Sequence, residues 1–351
     1  MSKRVTILDI AKAANVTHTT VYKALNNKSY VSAETKKRIL EAAEEMGYKA
    51  NKLAQSMVRK TLKIGLALEG YYSDYSDDLV RGVKDGLDAL FDYKVEGVFS
   101  EFDASHSRDK TIERIHTLTA AGVDGIIFSP YMACPEYVEM IGQLDNEGIP
   151  VILVTADIPN SKRIAAVRQN GHLVGAIGAE LMELFRAGDH SAVFVGNKSV
   201  VHHQEIIDGF TEKMLNLGCG ITAVYETQDD DRIAYYSTER LLKDHPETTG
   251  IFIGTSHSVG VCRKVVELGL ERKVTIIGTD IFKELTEFIE SGTVSATIYQ
   301  NSYMQGRLAV EELFKYLTEH RVTEQNIFVK PDILIKSNYK LFISDESVAL
   351  E

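Results

Sequence analysis

Apolar positions follow two rhythms along this chain of 351 residues. Through the first fifty residues the spacing is helical. Ile7, Ile10 and Ala14 fall on one stripe, and Val21 and Leu25 face inward from a second. Thr6 can cap the first helix, with Asp9 three residues on completing a capping box. Ala11 is small, as close helix–helix approach requires. Asn15 stands at the turn, where a left-handed backbone is needed and Asn tolerates it. Val16 plugs the turn and Thr17 can cap the second helix. His18, Thr19, Tyr22 and Lys23 are then left to face outward. Ser32 can cap a third helix running to about Met46, with Ile39, Ala42, Ala43 and Met46 apolar and Gly47 as its stop. Two short helices joined by a tight turn form a rigid probe for a DNA groove.

From Leu62 the rhythm changes to short apolar runs alternating with amphipathic helices. Strands are expected at 63–69, 94–100, 125–129 and 150–155, with helices at 77–90, 107–121 and 136–147 between them. The alternation then restarts. Helices at 171–186, 204–217, 232–243, 258–268 and 283–291 enclose strands at 191–195, 221–225, 249–253 and 274–279. Strands alternating with helices imply right-handed crossovers and parallel sheets covered on both faces. The expected fold is a small all-α helix-turn-helix head followed by an α/β body of two doubly wound parallel-sheet subdomains. The boundary between them is expected at 158–164.

Charge sharpens this division. The net charge of −11 alone argues against nucleic acid. Residues 1–63, however, carry 13 Lys and Arg against 5 Asp and Glu, a net of +8, and the remainder carries 26 against 45, a net of −19. A basic head on an acidic body fits a phosphate-binding module attached to something that does not touch DNA. No apolar run approaches the length needed to cross a bilayer, and Met-Ser-Lys-Arg at the start is not a secretory signal. Cys134, Cys219 and Cys262 lie far apart without metal-ligand spacing, as expected of reduced cytoplasmic thiols. No phosphate loop or dinucleotide fingerprint is present, and Gly254–Gly260 does not fit a nucleophile elbow because position 258 is Ser. His202-His203 is expected in an exposed loop. Neither a cofactor nor a metal is expected, and the chain is read as a binder, not an enzyme.

Val5 to Ala11, Thr20-Val21, Ala24-Leu25-Asn26, Tyr30 to Thr35, Gly47-Tyr48 and Asn51 to Ala54 together resemble the lactose-repressor (LacI) family of bacterial transcription regulators. The body resembles the type I periplasmic-binding-protein fold that serves that family as effector domain, through Asp208-Gly-Phe210, Gly278-Thr-Asp280 and Gln300 to Gly306. The resemblance implies a DNA-binding domain over 1–50, a hinge helix over 51–62 and an effector-binding and dimerisation domain over 63–345. The first subdomain would hold about 63–160 and 292–322, and the second about 161–291 and 323–345, with crossings near 158–164, 289–293 and 321–326.

It further implies a homodimer on a near-palindromic operator in double-stranded DNA. His18, Thr19 and Lys23 would lie near base edges, and Thr17, Thr20 and Tyr22 nearer phosphates. Thr6, Asn26 and Tyr30 complete the expected contacts of the head. Lys23 stands where relatives usually carry Arg, and lacks that residue's rigid fork. Asn51 would also contact DNA, and Ala54 and Gln55 would lie in the minor groove beside Met57, an apolar wedge that kinks the duplex. Ala50 stands where many relatives have Pro.

In open parallel sheets, ligands bind beyond the carboxyl ends of strands, and two such units make a cleft that closes like a hinge. Polar residues just after strands are therefore the candidate ligand contacts: Tyr72, Tyr131, Asp157, Gln204, Asp231, Ser256, Asp280 and Gln300, with Tyr71 and Thr155 as neighbours. Carboxylates bind paired hydroxyls and flat rings stack on sugar C–H faces, so a sugar or polyol effector is expected. Gln204 stands where sugar-binding relatives often carry Arg, which removes a fixed charge. A solute receptor or a sugar-modifying enzyme sharing only the body remain as alternatives. Induction and co-repression are both open.

Overall fold

A computed structural model describes residues 5–25, 31–47, 60–70, 73–102, 106–255, 258–321 and 324–343. The chain divides into two compact units, Met1–Lys60 and Thr61–Glu351.

In the first unit, helices α1 (Ile7–Ala13), α2 (His18–Leu25) and α3 (Ala33–Glu45) surround one small core. The local signals act as expected. Thr6 Oγ1 accepts the Asp9 N–H at 3.4 Å while the Asp9 carboxylate accepts the Thr6 N–H at 2.8 Å. Asn15 makes the turn at φ 49°. Thr17 Oγ1 accepts the Thr20 N–H at 3.2 Å, and Ser32 does the same for Thr35 at 3.2 Å. Ile10, Val21 and Ile39, one from each helix, are fully buried against each other with Ala11, Ala14, Ala24 and Ala43. Each such branched side chain contributes roughly 1.5–3 kcal/mol on burial.

The second unit holds two six-stranded sheets. The first runs β11-β5-β4-β3-β1-β2, with β1 (Leu62–Leu68), β2 (Val95–Phe99), β3 (Gly125–Ser129), β4 (Val151–Val154), β5 (Ala165–Arg168) and β11 (Asn326–Phe328), all parallel. The second runs β12-β10-β9-β8-β6-β7, with β6 (His190–Val195), β7 (Gly220–Glu226), β8 (Gly250–Ile253), β9 (Thr275–Thr279), β10 (Val294–Tyr299) and β12 (Asp332–Leu334). Among the described residues only β12 pairs antiparallel, against β10. The central strands β4 and β8 are buried at every position, as sheets with helices on both faces demand.

The helices are α4 (Ser73–Asp88), α5 (Arg108–Ala120), α6 (Pro135–Asn146), α7 (Gly171–Leu184), α8 (Val201–Asn216), α9 (Asp231–Asp244), α10 (Val259–Glu267), α11 (Thr286–Ser291) and α12 (Ser302–Glu319). Helix α12 returns to the first lobe, as expected, and there packs on α4, with Val310 and Leu313 in the same core as Leu79 and Val83. Helices α7 and α8 approach so closely that a Cβ on Gly209 would lie 2.0 Å from the His172 carbonyl oxygen. The first turn of α8 is also closely packed, since a Cβ on Gly171 would lie 2.8 Å from the His202 carbonyl oxygen.

The crossings between lobes fall later than the sequence implied. The polar stretch 158–164 is a loop within the first lobe, because Ala165–Arg168 still pairs with β4, Ile152 opposite Ala165. The chain crosses after β5, at Gln169 and Asn170. Gly292 turns the chain at φ 82°, and Val294–Tyr299 joins β9 in the second sheet, so the second crossing is at Gln300 and Asn301 rather than 289–293. The third lies between β11 and β12, past 321–326. Short apolar strands beside charged loops moved each boundary. Two of these crossings are tied together: Gln169 and Gln305 both donate side-chain N–H groups to the Gln300 carbonyl, at 2.7 and 2.9 Å.

Candidate functional site

The carboxyl ends of both sheets open into one cavity of about 140 Å³. The first lobe supplies Glu69 after β1, Tyr131 after β3 and Thr155 after β4. The second supplies Asp229 after β7, Thr255 after β8, Asp280 after β9 and Gln300 after β10. His202 and His203 enter from the first turn of α8. The backbone is strained around this cavity. Thr155, Asp229, Asp280 and Asn301 are left-handed, at φ 71°, 50°, 61° and 55°. Such conformations cost on the order of 1 kcal/mol each for residues with a Cβ, and they concentrate where side chains must be aimed. Asp280 is held there by its N–H to the Ile298 carbonyl at 2.8 Å and by Thr297 Oγ1 on its own carbonyl at 2.5 Å.

Three side chains form a relay with a fixed direction, starting from the buried Asp280. Both Asp280 oxygens accept from Gln300, one from the backbone N–H at 2.9 Å and one from Nε2 at 2.6 Å. The amide oxygen of Gln300 is thereby left to face His202 Nε2 at 3.0 Å. His202 must donate through Nε2, which leaves a lone pair on Nδ1, an atom buried without a hydrogen-bond partner. Burial, then the nearby His203 and Arg168, hold the His202 ring down to about 3, so it is neutral at ordinary pH. Burial pushes the Asp280 carboxyl up to about 6, against the two hydrogen bonds from Gln300 and with the help of Asp78.

Another contact at the cavity spans the two lobes. Tyr131 Oη donates to Asp229 Oδ2 at 2.8 Å, and Thr255 Oγ1 donates to Asp229 Oδ1 at 2.6 Å. The space for this carboxylate exists because position 196 is glycine: a Cβ there would lie 2.1 Å from Asp229 Oδ1. The Tyr131 ring lies against His106 with centroids 4.2 Å apart, and its N–H donates to Glu69 at 2.9 Å. Burial raises the Glu69 carboxyl, partly offset by that N–H. At the cavity margin, Tyr299 Oη donates to Asp78 on α4 at 3.3 Å, a second link between lobes.

Of the expected ligand contacts, Tyr131, Asp280 and Gln300 converge on the cavity. Three others do not. Asp157 is bound bidentately by Arg163, at 2.5 and 2.7 Å, and pins the β4–β5 loop. Gln204 is exposed on α8 and donates to Asp208 one turn on, at 2.8 Å. Asp231 starts α9 and accepts the Gly260 N–H at 3.0 Å; the cavity carboxylate is Asp229, two residues earlier. Tyr72 and Ser256 lie outside the described residues. His202 and His203 are corrected in the other direction, since they sit in a helix and line the cavity instead of an exposed loop. The helical spacing from Val201 on was the available signal, because it places 202 and 203 at an N-terminal turn beside a strand end.

In the head, α2 presents His18, Thr19 and Tyr22 to solvent, while Val21 and Ala24 are buried. Lys23 and Thr20 are half-buried at its edges. Thr6 and Thr17 are exposed but engaged in capping. Asn26, Tyr30, Asn51, Ala54, Gln55 and Met57 lie outside the described residues.

A reading helix on a basic head and a hinged two-lobed receptor define a ligand-responsive DNA-binding regulator. Residues 6–51 match the lacI family of bacterial regulatory proteins, and residues 64–321 match the periplasmic binding protein domain. The chain is similar to catabolite control protein A of Priestia megaterium, 26% identical over 91% of this chain and 94% of that protein. It is also similar to the "Probable HTH-type transcriptional repressor ExuR" of Bacillus subtilis, 27% identical over 79% of this chain and 81% of that one. Among solved structures, the glucose-galactose binding protein GanP of Geobacillus stearothermophilus superposes with a TM-score of 0.71 at 24% identity, over 80% of this chain and 99% of that one. This chain belongs to the LacI family of bacterial regulatory proteins, with a helix-turn-helix head and a periplasmic-binding-protein body. It is a DNA-binding transcription regulator. No helix among the described residues is long and apolar enough to cross a membrane.

Proposed function

We propose that the protein is a homodimeric repressor whose grip on a near-palindromic operator is set by a small polyhydroxylated effector in the cleft between its lobes. The observation that carries this is the position of the cavity. It sits against the Gln300 crossing, so anything that bonds Asp280, Gln300 and Tyr131 together biases the angle between the lobes. A polar ligand suits a cavity rich in carboxylate, hydroxyl and amide groups. In the head, His18, Thr19 and Lys23 would read base edges from the major groove, with Thr17, Thr20 and Tyr22 at phosphates. Met57 would act as a minor-groove wedge, so Met57→Ala should weaken specific binding more than non-specific binding. Two heads are required because one helix-turn-helix makes too few contacts for a specific site.

The test is to select operator sequences from random DNA with the full chain, then titrate sugars and polyols into the complex while following anisotropy. The expected result is a palindromic consensus and an affinity that changes with at least one compound. An enriched site without two-fold symmetry would sink the dimer, and an affinity indifferent to every compound that binds the body would sink the switch.

A further inference from the structure

We propose that the cleft admits only ligands without a negative charge, rejecting carboxylated and phosphorylated sugars and accepting their neutral and amine-bearing counterparts. The inference rests on the reading of the cleft as the effector site, and it names the chemical class that site takes.

Three carboxylates line the cavity, Glu69, Asp229 and Asp280, and no Lys or Arg does among the described residues. Protein hydrogen bonds to Asp229 and Asp280 come from neutral donors: Tyr131, Thr255 and Gln300. Their negative charge is therefore dispersed and not neutralised. The neighbouring cations stand outside the lining: Arg108, whose charge acts on Glu69, is bound to Asp109 and Glu136, Arg114 donates to the Leu68 carbonyl at 3.4 Å, and Arg168 has its charge already spent. It holds Glu205 bidentately, at 2.6 and 3.0 Å, with its guanidinium about nine-tenths buried.

His202 does not act as a cation in their place. The relay through Gln300 fixes it as an Nε2–H tautomer, and its Nδ1 is a buried acceptor without a partner. Protonating it would put a charge into a pocket that already holds its pKa far below neutrality. The carboxylates are acceptors, and the neutral imidazole adds no positive charge. The pocket thus asks its ligand for hydrogen-bond donors, and hydroxyl and ammonium groups supply them. A ligand carboxylate or phosphate would enter a partly desolvated, low-dielectric space facing like charges, where repulsion is many times stronger than in water. The Gln204 departure noted in the sequence has no bearing on this, since that side chain points to solvent.

The experiment compares matched rings that differ only in charge. Glucose, glucosamine, glucuronate and glucose 6-phosphate are added to the full chain, with the galacto and manno equivalents, and thermal stabilisation is followed. The expected result is stabilisation by at least one neutral or amine member and at least a tenfold weaker apparent affinity for the uronate and phosphate of the same ring. In Asp229→Asn, that gap should narrow by about tenfold, since one unit of repulsion is removed. Stabilisation by an anionic member that disappears in Tyr131→Phe or Asp280→Asn overturns the charge rule while leaving the cleft as the effector site. Stabilisation that persists unchanged in both variants overturns the cleft reading itself. A series in which no member stabilises the protein overturns the polyol class.

Discussion

The head and the cleft handle polar groups in opposite ways. In the head, the expected contacts lie at the surface: His18, Thr19 and Tyr22 are exposed, in a stretch of net charge +8. In the cleft, Asp280 is only 5% exposed, the cavity is lined by acid, and each polar side chain is aimed by another. The first arrangement suits a partner that brings its own dense negative charge and ion atmosphere. The second suits a small partner that must replace water bond for bond. One binding event should therefore be governed by ionic strength and the other by hydrogen-bond geometry and proton count.

Salt gives the largest effect that separates them. Raising salt from about 50 to 200 mM should lower operator affinity by roughly 10³-fold or more, the loss expected for six to ten phosphate contacts. Effector affinity over the same range should change less than about twofold, because a neutral ligand releases no counterions. Anisotropy for DNA and calorimetry for the effector measure the pair. A steep salt dependence on the effector side would break the comparison. Within the head, Lys23→Ala should cost about 1–3 kcal/mol and relax preference at one base pair if Lys23 meets a base edge. A uniform loss on all sequences, with a shallower salt slope, would move it to a phosphate.

A smaller but sharper effect is expected from Asp280→Ala. Removing both acceptors of the Gln300 relay should abolish the response of DNA affinity to effector, a loss of at least about 100-fold in effector affinity for a buried charged partner. Operator affinity without effector should stay within about twofold. An unchanged dose response would detach Asp280 from the switch.

The same contrast decides what the sequence could tell. The head was legible nearly in full because its signals are local: Thr6 with Asp9, Asn15 at the turn, Thr17 with Thr20. Each acts within three residues. The alternating sheet order was legible for the same reason. The cleft depends on which strands become neighbours, and short strands carry little pattern. Ala165–Arg168 looked like the end of a charged loop until its pairing with β4 was seen. Position after a strand found Tyr131, Asp280 and Gln300. It failed at Asp157 and Asp231, where a carboxylate had a nearer partner in Arg163 or the Gly260 N–H. Asp229 was hidden by two further acids beside it, at a turn where Gln228 and Asp229 are both left-handed, at φ 53° and 50°.

Proton dependence should also separate the regions, through two groups with opposite signs. Asp280 has its pKa raised to about 6 in the folded protein. Its contribution to stability is full below about 4 and is lost as pH rises through about 6, at most roughly 3 kcal/mol. His202 has its pKa lowered to about 3. Its contribution is present above about 6.5 and is lost as pH falls through about 3. Asp280→Asn should therefore gain on the parent between pH 4 and 7, and His202→Gln should gain on it below pH 6. Denaturant midpoints of the body across this range test both, and parallel curves for all three proteins would remove the titrations from the cleft.

The smallest expected effect probes whether the two regions are independent at all. Thr6→Ala removes the acceptor for the Asp9 N–H and one side of the capping box, which should cost about 1 kcal/mol of helix α1. That cost falls entirely within the unit ending at Lys60. A calorimetric scan should show the head's transition lowered by about 4–8 °C, as for a domain of 60–100 residues, with the body's transition unmoved. Operator affinity should weaken only slightly, because the cap positions α1 and not α2. If the body's transition moved with it, the head would be stabilised by contacts beyond its own core, and the charge contrast between the two regions would have to be read as an attraction as well as a division of labour.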